Sequence, residues 1–108
     1  MLEILYHGTS KENARKILRD GFKVGKSNYL LLGEGIYFTK HLEKSKSYGD
    51  TILVCIVDKG NCLVIERDDD DEYTRKNWHY KYDSAFLPCD NRFTKKNFSE
   101  LCIKSPNQ

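Results

Sequence analysis

The sequence predicts an α+β domain with a mostly antiparallel sheet arrangement and two short helices in its N-terminal half. About six short apolar or β-branched runs read as strands, and only two segments, both before residue 50, have helical character. A chain of 108 residues also has room for one modest core and no second one. We therefore expect residues 1–108 to form a single domain.

A strand and a helix open the chain. The apolar and aromatic run EILY at residues 3–6 leads into HGT, which indicates a strand that enters a glycine-containing site. Ser10 is a natural N-cap, and Gly21 is placed to end the following helix in the left-handed conformation. Three apolar residues are expected on the buried face of this helix: Ala14, Ile17 and Leu18.

Next, residues 23–34 have two glycines and mixed polarity, which is typical of a loop that lies over a site. The run GIYFT at residues 35–39 predicts a second strand. Residues 40–48 favour a second helix, and Gly49 marks its end.

The rest of the chain is expected to be mostly strand. The continuous apolar run TILVCIV at residues 51–57 is typical of a central strand. The segment DKGN at residues 58–61 indicates a hairpin-like turn into the strand CLVI at 62–65. Two further short strands are expected at residues 84–87 and 100–103.

Charge and hydropathy narrow the classes of partner. Eighteen Lys and Arg residues stand against sixteen Asp and Glu residues, a net charge of +2 with both signs mixed along the chain. Such a chain has no large field to attract a duplex or an anionic membrane. The N-terminus does not resemble a signal peptide, and no apolar run is long enough to cross a bilayer. We expect a monomer in the cytoplasm or the nucleus, with no membrane partner.

Metal and disulfide chemistry are not indicated. The four cysteines, Cys55, Cys62, Cys89 and Cys102, lack the two-residue spacing of zinc sites, and we interpret them as reduced packing residues. The acidic run at residues 68–72 has neither the spacer residues nor the glycine of a calcium loop, so we expect a solvated loop there. No metal site is predicted.

Five polar or aromatic residues stand at the end or start of a predicted strand, within one, or on the second helix: His7, Tyr37, Ser45, Tyr48 and Glu100. Each has an ordinary structural explanation. A histidine at a strand end is often a hydrogen-bonded structural residue, and a tyrosine inside GIYF is usually a core residue with its hydroxyl tied to a neighbour. The helical pair would form a solvated face, and the glutamate would be an exposed charge.

Four segments change this interpretation: LYHGTS, LGEGIYFTKHLEKSKSYG, YDSAFLP and SELCIKSPNQ. Together they resemble the catalytic domain of the poly(ADP-ribose) polymerase family, the diphtheria-toxin-like ADP-ribosyltransferases. That family has a His in HG(T/S), a Tyr in GIYF, a Ser and a Tyr eight and eleven residues later, and a Glu near the end. The five residues above occupy these places. In its short length and its segment NWHYKYDSAFLP, the chain resembles the small virus-induced PARP-like proteins of fish.

The resemblance implies the ADP-ribosyltransferase fold with split sheets, and NAD as the substrate. It assigns catalytic roles to His7, Tyr37 and Glu100. The carboxylate of Glu100 would bind the 2′-hydroxyl of the nicotinamide ribose and stabilise the oxocarbenium-like transition state. His7 would hold the 2′-hydroxyl of the adenosine ribose, with help from Thr9.

The resemblance also implies a nicotinamide pocket. The backbone of Gly8 would make paired hydrogen bonds to the carboxamide, and the hydroxyl of Ser45 would add a third. The rings of Tyr37 and Tyr48 would enclose the nicotinamide by stacking.

The expected activity is transfer of one ADP-ribose unit to a protein acceptor, or to a nucleic-acid end. The stretch between residues 62 and 99 is short for this family, which favours a single transfer, or simple hydrolysis of NAD, over growth of a chain. A second interpretation is a binding module for NAD or ADP-ribose with little turnover, which acts through a partner. A third is an RNA 2′-phosphotransferase, but this class would require a second histidine where Tyr37 stands.

Overall fold

The structure is a computed structural model that describes residues 2–24, 32–65, 76–88 and 98–106. In chain order its elements are β1 (Leu2–Thr9), α1 (Lys11–Asp20), β2 (Ile36–Phe38), α2 (Leu42–Lys46), β3 (Thr51–Asp58), β4 (Cys62–Val64), a 3-10 turn (Trp78–Tyr80), β5 (Ser84–Leu87) and β6 (Glu100–Ile103). The acidic run at 68–72, Cys89 and most of the predicted loop at 23–34 lie outside the described residues. No helix in the described ranges is both long and apolar enough to span a bilayer.

The strands form two sheets. β1 pairs with β3 in one, and the other has the order β2-β6-β5-β4. Three of the four pairings are antiparallel, and the β4–β5 pairing is parallel. The two helices both precede β3 in the chain. The predicted α+β class with split, mostly antiparallel sheets is confirmed.

The core has two parts because the side chains of β6 alternate between the faces of its sheet. Leu101 and Ile103 are buried in a first cluster with Leu5 and Val57 of the other sheet. This cluster joins the two sheets. Cys102, between them in the chain, is buried in a second cluster with Trp78. The four-stranded sheet is therefore covered on both faces, whereas the β1–β3 ribbon packs on the core through one.

The ends of α1 follow the sequence prediction closely. The hydroxyl of Ser10 accepts a hydrogen bond from the backbone N–H of Asn13 at 3.1 Å, as an N-cap should. Gly21 donates its N–H to the carbonyl of Ile17 at 2.8 Å. Its φ of 84° requires glycine, but its ψ of 173° is extended rather than left-handed helical. The predicted helix end is correct, and its predicted left-handed conformation is wrong in ψ.

The buried face of α1 is narrower than predicted. Ala14 is buried, Ile17 is half-buried and Leu18 is 77% exposed. Ala14 is small, so the helix can lie close to the sheet at this residue. Leu18, one turn further along the helix, points away from the sheet. The prediction that Leu18 faces the core is wrong.

Two predictions about β3 are also wrong. Among the described residues it is one strand of a two-stranded ribbon rather than a central strand. The segment at 58–61 turns sharply, with Gly60 at a φ of 59° and its N–H bonded to the side chain of Asp58. It carries the chain to the other sheet, where β4 pairs in parallel with β5, so no hairpin forms. Tertiary packing therefore decided where both apolar runs lie.

α2 is shorter than the predicted helix at 40–48. Its last turn closes with i−3 bonds, from Ser47 N–H to the Lys44 carbonyl at 3.1 Å and from Tyr48 N–H to the Ser45 carbonyl at 3.2 Å. Gly49 then passes so close to β1 that a Cβ atom there would lie 2.3 Å from the Thr9 carbonyl oxygen. The tight end of α2 keeps the helix against β1.

Neighbouring residues of β1 test the assignment of its two faces. Leu5 is 5% exposed and Ile4 is 68% exposed. We expect Leu5→Ala to lower the free energy of unfolding by about 2–4 kcal/mol, because it leaves a cavity. Ile4→Ala should change it by less than about 0.5 kcal/mol. Urea denaturation measures both, and equal losses would show that the two faces are assigned wrongly.

Candidate active site

His7 lies near the end of β1, in an aromatic environment. Its Nδ1 is 2.7 Å from the backbone carbonyl oxygen of Tyr37, and its ring contacts those of Phe22 and Phe38 at centroid distances of 5.0 and 5.6 Å. A carbonyl only accepts, so Nδ1 carries the proton and the neutral ring leaves Nε2 as an acceptor. Burial lowers the pKa of His7, against the opposing effect of the carbonyl, and keeps the ring neutral at pH 7.

Gly8 presents one backbone donor and one backbone acceptor on the same side. Tyr6 exchanges hydrogen bonds of 2.8 and 3.0 Å with Thr39, so its backbone groups face away from β3. In an antiparallel ladder this direction repeats every second residue, and Gly8 therefore faces the same way. Among the described residues the bridge between Tyr6 and Thr39 does not continue to Gly8. A primary carboxamide carries the complementary donor and acceptor.

The absence of a side chain at Gly8 also permits the contact between α2 and β1. A Cβ atom there would lie 1.7 Å from the backbone carbonyl oxygen of Ser45. The sequence argument required glycine for the approach of a ligand, and the structure gives the approach of α2 as a second reason. The buried hydroxyl of Ser45 donates to the Leu42 carbonyl at 2.7 Å, so toward a ligand its oxygen is an acceptor.

Glu100 is buried and held by two donors. The hydroxyl of Tyr48 donates to its Oε1 atom, and the Nζ atom of Lys44 lies 3.5 Å from the same oxygen. Glu100 is 4% exposed, so the ordinary explanation of an exposed charge does not apply. No described residue hydrogen bonds to Oε2. One carboxylate oxygen is therefore fixed by the protein, and the other is left for a ligand.

Tyr48 joins this carboxylate to the open side of the site. Burial of its hydroxyl raises its pKa, and the adjacent charge of Glu100 raises it further, so the hydroxyl remains a donor. Tyr48 as a whole is half-exposed, and the Nζ atom of Lys44 lies 4.9 Å from the centroid of its ring. The ring of Tyr48 is accessible to a ligand, whereas its hydroxyl is already hydrogen bonded to Glu100.

Tyr37 uses its hydroxyl to hold the chain at residues 32 and 33. The hydroxyl accepts from the N–H of Leu32 at 2.8 Å and donates to the carbonyl of Gly33 at 2.6 Å. Trp78 donates its indole N–H to the Leu32 carbonyl at 2.7 Å. Burial raises the pKa of Tyr37 and keeps the hydroxyl protonated. Only the ring of Tyr37 remains available to a ligand, and its stacking role stays a prediction.

The predicted residues form one connected group. His7 contacts the backbone of Tyr37, which pairs in the ladder with Cys102, two residues after Glu100. From Glu100 the contacts continue through the side chain of Tyr48 and back to β1. In the order in which they meet, the members are His7, Tyr37, Glu100, Tyr48, Ser45 and Gly8. The roles that the resemblance gives them remain predictions.

Thr9 is placed at the edge of this group. It is buried where β1 ends, next to the N-cap of α1, and its carbonyl packs against Gly49. No hydrogen bond of its hydroxyl occurs among the described residues. Its predicted assistance to His7 stays a prediction.

Sequence reasoning missed two residues of the site, Lys44 and Trp78. Lys44 stands four residues before Tyr48, a spacing that places both side chains on one face of the helical segment. This spacing could have identified it. Trp78 was noted only as part of a motif, and its bond to Leu32 depends on the tertiary structure.

The fold and this group of side chains define a protein of the ADP-ribosyltransferase class. The sequence matches the family of the poly(ADP-ribose) polymerase catalytic domain over residues 2–96, and the chain belongs to that family. No curated protein matches the sequence. Membership supports ADP-ribosyltransferase activity in general, with NAD as the substrate that these domains bind. The family match ends before Glu100 and so does not cover this residue. Its place in the candidate site rests on its contacts with Tyr48 and Lys44.

The ion pair at Glu100 predicts an energetic coupling with Lys44. Lys44→Met leaves the buried carboxylate without its cation, and Glu100→Gln removes the need for one. We expect a coupling energy of about 1–3 kcal/mol in the free energy of unfolding, measured with both single variants and the double variant. Additive effects would show that the 3.5 Å contact has no energetic weight.

The lowered pKa of His7 predicts a dependence of stability on pH. Below the usual value of 6.5, the unfolded chain takes up a proton that the folded chain resists. The free energy of unfolding should therefore begin to fall below about pH 7.5, where the unfolded imidazole starts to take up its proton, and fall more steeply below about 6.5; between about pH 7.5 and 8 this residue should contribute no change. His7→Gln should lack this part of the decrease in denaturant titrations at each pH. Identical profiles would contradict the pKa shift.

Proposed function

We propose that this domain transfers a single ADP-ribose unit from NAD to a protein acceptor and releases nicotinamide. The observation that carries the proposal is the buried carboxylate of Glu100, fixed at Oε1 by Tyr48 and Lys44. Positive charge develops on the ribose as nicotinamide leaves, and a preorganised carboxylate stabilises that charge. Oε2 would accept a hydrogen bond from the ribose 2′-hydroxyl, which strengthens in the transition state.

The backbone of Gly8 supports binding of the nicotinamide half. Its N–H and carbonyl would pair with the carboxamide oxygen and N–H, and the Ser45 hydroxyl oxygen would accept the second N–H. The half-exposed ring of Tyr48 offers a stacking surface that contributes on the order of 1 kcal/mol. Tyr37 would stack from the other side.

His7 supports binding of the adenosine half. With Nδ1 bonded to the Tyr37 carbonyl, its Nε2 atom would accept a hydrogen bond from the adenosine ribose 2′-hydroxyl. The rings of Phe22 and Phe38 hold the imidazole in place for this contact. We place Thr9 beside this hydroxyl.

The net charge and the short stretch between residues 62 and 99 support the proposal of a protein acceptor and a single transfer. The net charge of +2 is spread over mixed signs, which gives little attraction for a nucleic-acid acceptor. The stretch between residues 62 and 99 is short for this family, which favours a single transfer over the growth of an ADP-ribose chain. Nucleic-acid modification and hydrolysis of NAD are the outcomes that the test below separates from this proposal.

Glu100→Gln tests the proposal directly. We expect transfer to fall by about a hundredfold or more, with little change in the affinity for NAD, because a charge that acts in the transition state is lost. Labelled NAD is incubated with the purified protein and a cell lysate, and label is counted on protein, on nucleic acid and as free ADP-ribose. Glu12→Gln, an exposed glutamate on α1, is the matched control and should keep full activity.

Each outcome has a distinct meaning. Nicotinamide release by Glu100→Gln at the unaltered rate would remove Glu100 from the reaction. NAD binding by calorimetry without nicotinamide release by either protein would favour the binding module. Label on nucleic acid would show that the acceptor is a nucleic acid instead of a protein. Label in free ADP-ribose would show that the domain hydrolyses NAD.

A further inference from the structure

Thr39 uses its backbone and its hydroxyl to join three parts of the site. Its N–H donates to the carbonyl of Tyr6 at 3.0 Å, and its carbonyl accepts from the N–H of Tyr6 at 2.8 Å, which ties it to β1. Its hydroxyl donates to the backbone carbonyl of Ser99 at 3.0 Å and accepts from the N–H of His41 at 3.1 Å. The residue is 3% exposed, so these bonds lie in a low-dielectric environment that strengthens them. Thr39 therefore connects β1, the residue before Glu100 and the start of α2.

The hydroxyl of Thr39 acts where the ladder between β2 and β6 ends. The last pair of that ladder is Phe38 with Leu101, and the next pair would be Thr39 with Glu100. The backbone of Thr39 pairs with Tyr6 of the other sheet instead. In the described part of the chain, the start of β6 is therefore tied to this segment by a side-chain bond, from Thr39 to the carbonyl before Glu100.

A second contact joins the same two segments. The Nε2 atom of His41 lies 3.1 Å from the hydroxyl oxygen of Ser99, which is 1% exposed. His41 is also the N-cap of α2, and its carbonyl accepts the N–H of Ser45 at 3.1 Å. We call the contacts among Thr39, His41 and Ser99 the Thr39 clamp. The clamp fixes the first turn of α2 against the start of β6.

The clamp closes a ring of contacts around the carboxylate of Glu100. One arm runs from Thr39 through α2 to Lys44 and Tyr48, which both contact Oε1 of Glu100. The other arm runs from Thr39 to the carbonyl of Ser99, which is one peptide bond away from Glu100. A shift of β6 relative to α2 would have to break the clamp or separate the carboxylate from its two donors.

We propose that Thr39 is a positioning residue for the transfer reaction, which acts by holding the carboxylate of Glu100 in place through the clamp. This inference rests on the proposed function of Glu100. The backbone of Thr39 is bonded to β1, which carries the proposed NAD contacts of His7 and Gly8. The clamp thus sets the carboxylate relative to the bound ribose. A displacement of about 1 Å at a reacting group can lower a rate by about a hundredfold.

Thr39→Val tests the clamp because it keeps the shape of the side chain and removes the hydroxyl. We expect kcat for nicotinamide release to fall by about tenfold or more, because the carboxylate is no longer held in place. KM for NAD should change by less than about twofold, because β1 keeps its backbone bonds to residue 39. Rates are divided by the number of NAD sites counted by calorimetry, so that unfolded protein does not contribute.

Thr39→Ser is the matched control. It keeps the hydroxyl and loses only a methyl group, so nicotinamide release should stay within about threefold of the unaltered rate. Ser99→Ala removes only the contact with the His41 ring. It should lower kcat by about threefold, and it decides the question if Thr39→Val does not fold.

The Glu100→Gln background separates positioning from general damage to the fold. If Thr39 acts through the carboxylate, adding Thr39→Val or Ser99→Ala to Glu100→Gln should lower the remaining rate by less than about twofold. A residue that only supports the fold would lower the rate by the same factor in both backgrounds.

Three results would overturn the clamp alone while Glu100→Gln shows its expected loss. They are full rates per NAD site in Thr39→Val and Ser99→Ala, equal losses in Thr39→Val and Thr39→Ser, and the same factor of loss with and without Glu100→Gln. Full activity of Glu100→Gln itself would overturn the proposed function, and the clamp with it.

Discussion

The close contact of α2 with β1 at Gly8 is the constraint on which the site depends. Any side chain there would run into the Ser45 carbonyl, which a Cβ atom would approach to 1.7 Å. Because α2 lies this close, Tyr48 reaches the carboxylate of Glu100 on a strand of the other sheet. A single glycine thus positions a helix, and the helix joins the two sheets at the place where the proposed chemistry occurs.

A buried carboxylate costs free energy unless donors compensate for its lost hydration. Glu100 has two such donors on one oxygen, and both come from the segment around α2. The same contacts that stabilise the charge fix the direction of the second oxygen. Tyr37 and Trp78 do similar work on the same face of the sheet, where they hold the chain at Leu32. Stability and orientation therefore come from the same hydrogen bonds.

Local chemistry explains which predictions the structure confirmed. Ser10 caps α1 and Gly21 follows it, because caps depend on neighbouring backbone groups alone. The runs SAFL and ELCI are strands, as their composition indicates. By contrast, Leu18 and the run TILVCIV were assigned to the core from apolar character alone. Apolar character does not tell whether a second layer exists to cover a face, and within the described part of the chain Leu18, Val54 and Ile56 are largely exposed.

The sequence by itself determined where the helices and strands lie along the chain and which family motifs it has. It also determined the spacing that puts Ser45 and Tyr48 near the end of β1. These depend on contacts within a few residues or on a pattern in fixed order. Only the tertiary structure decided that Glu100 is buried, that Lys44 accompanies it, and that β4 joins the far sheet. Each of these depends on residues that are distant in the chain and meet through packing. Periodicity cannot encode such a meeting, because it records only which side of its own element a residue occupies.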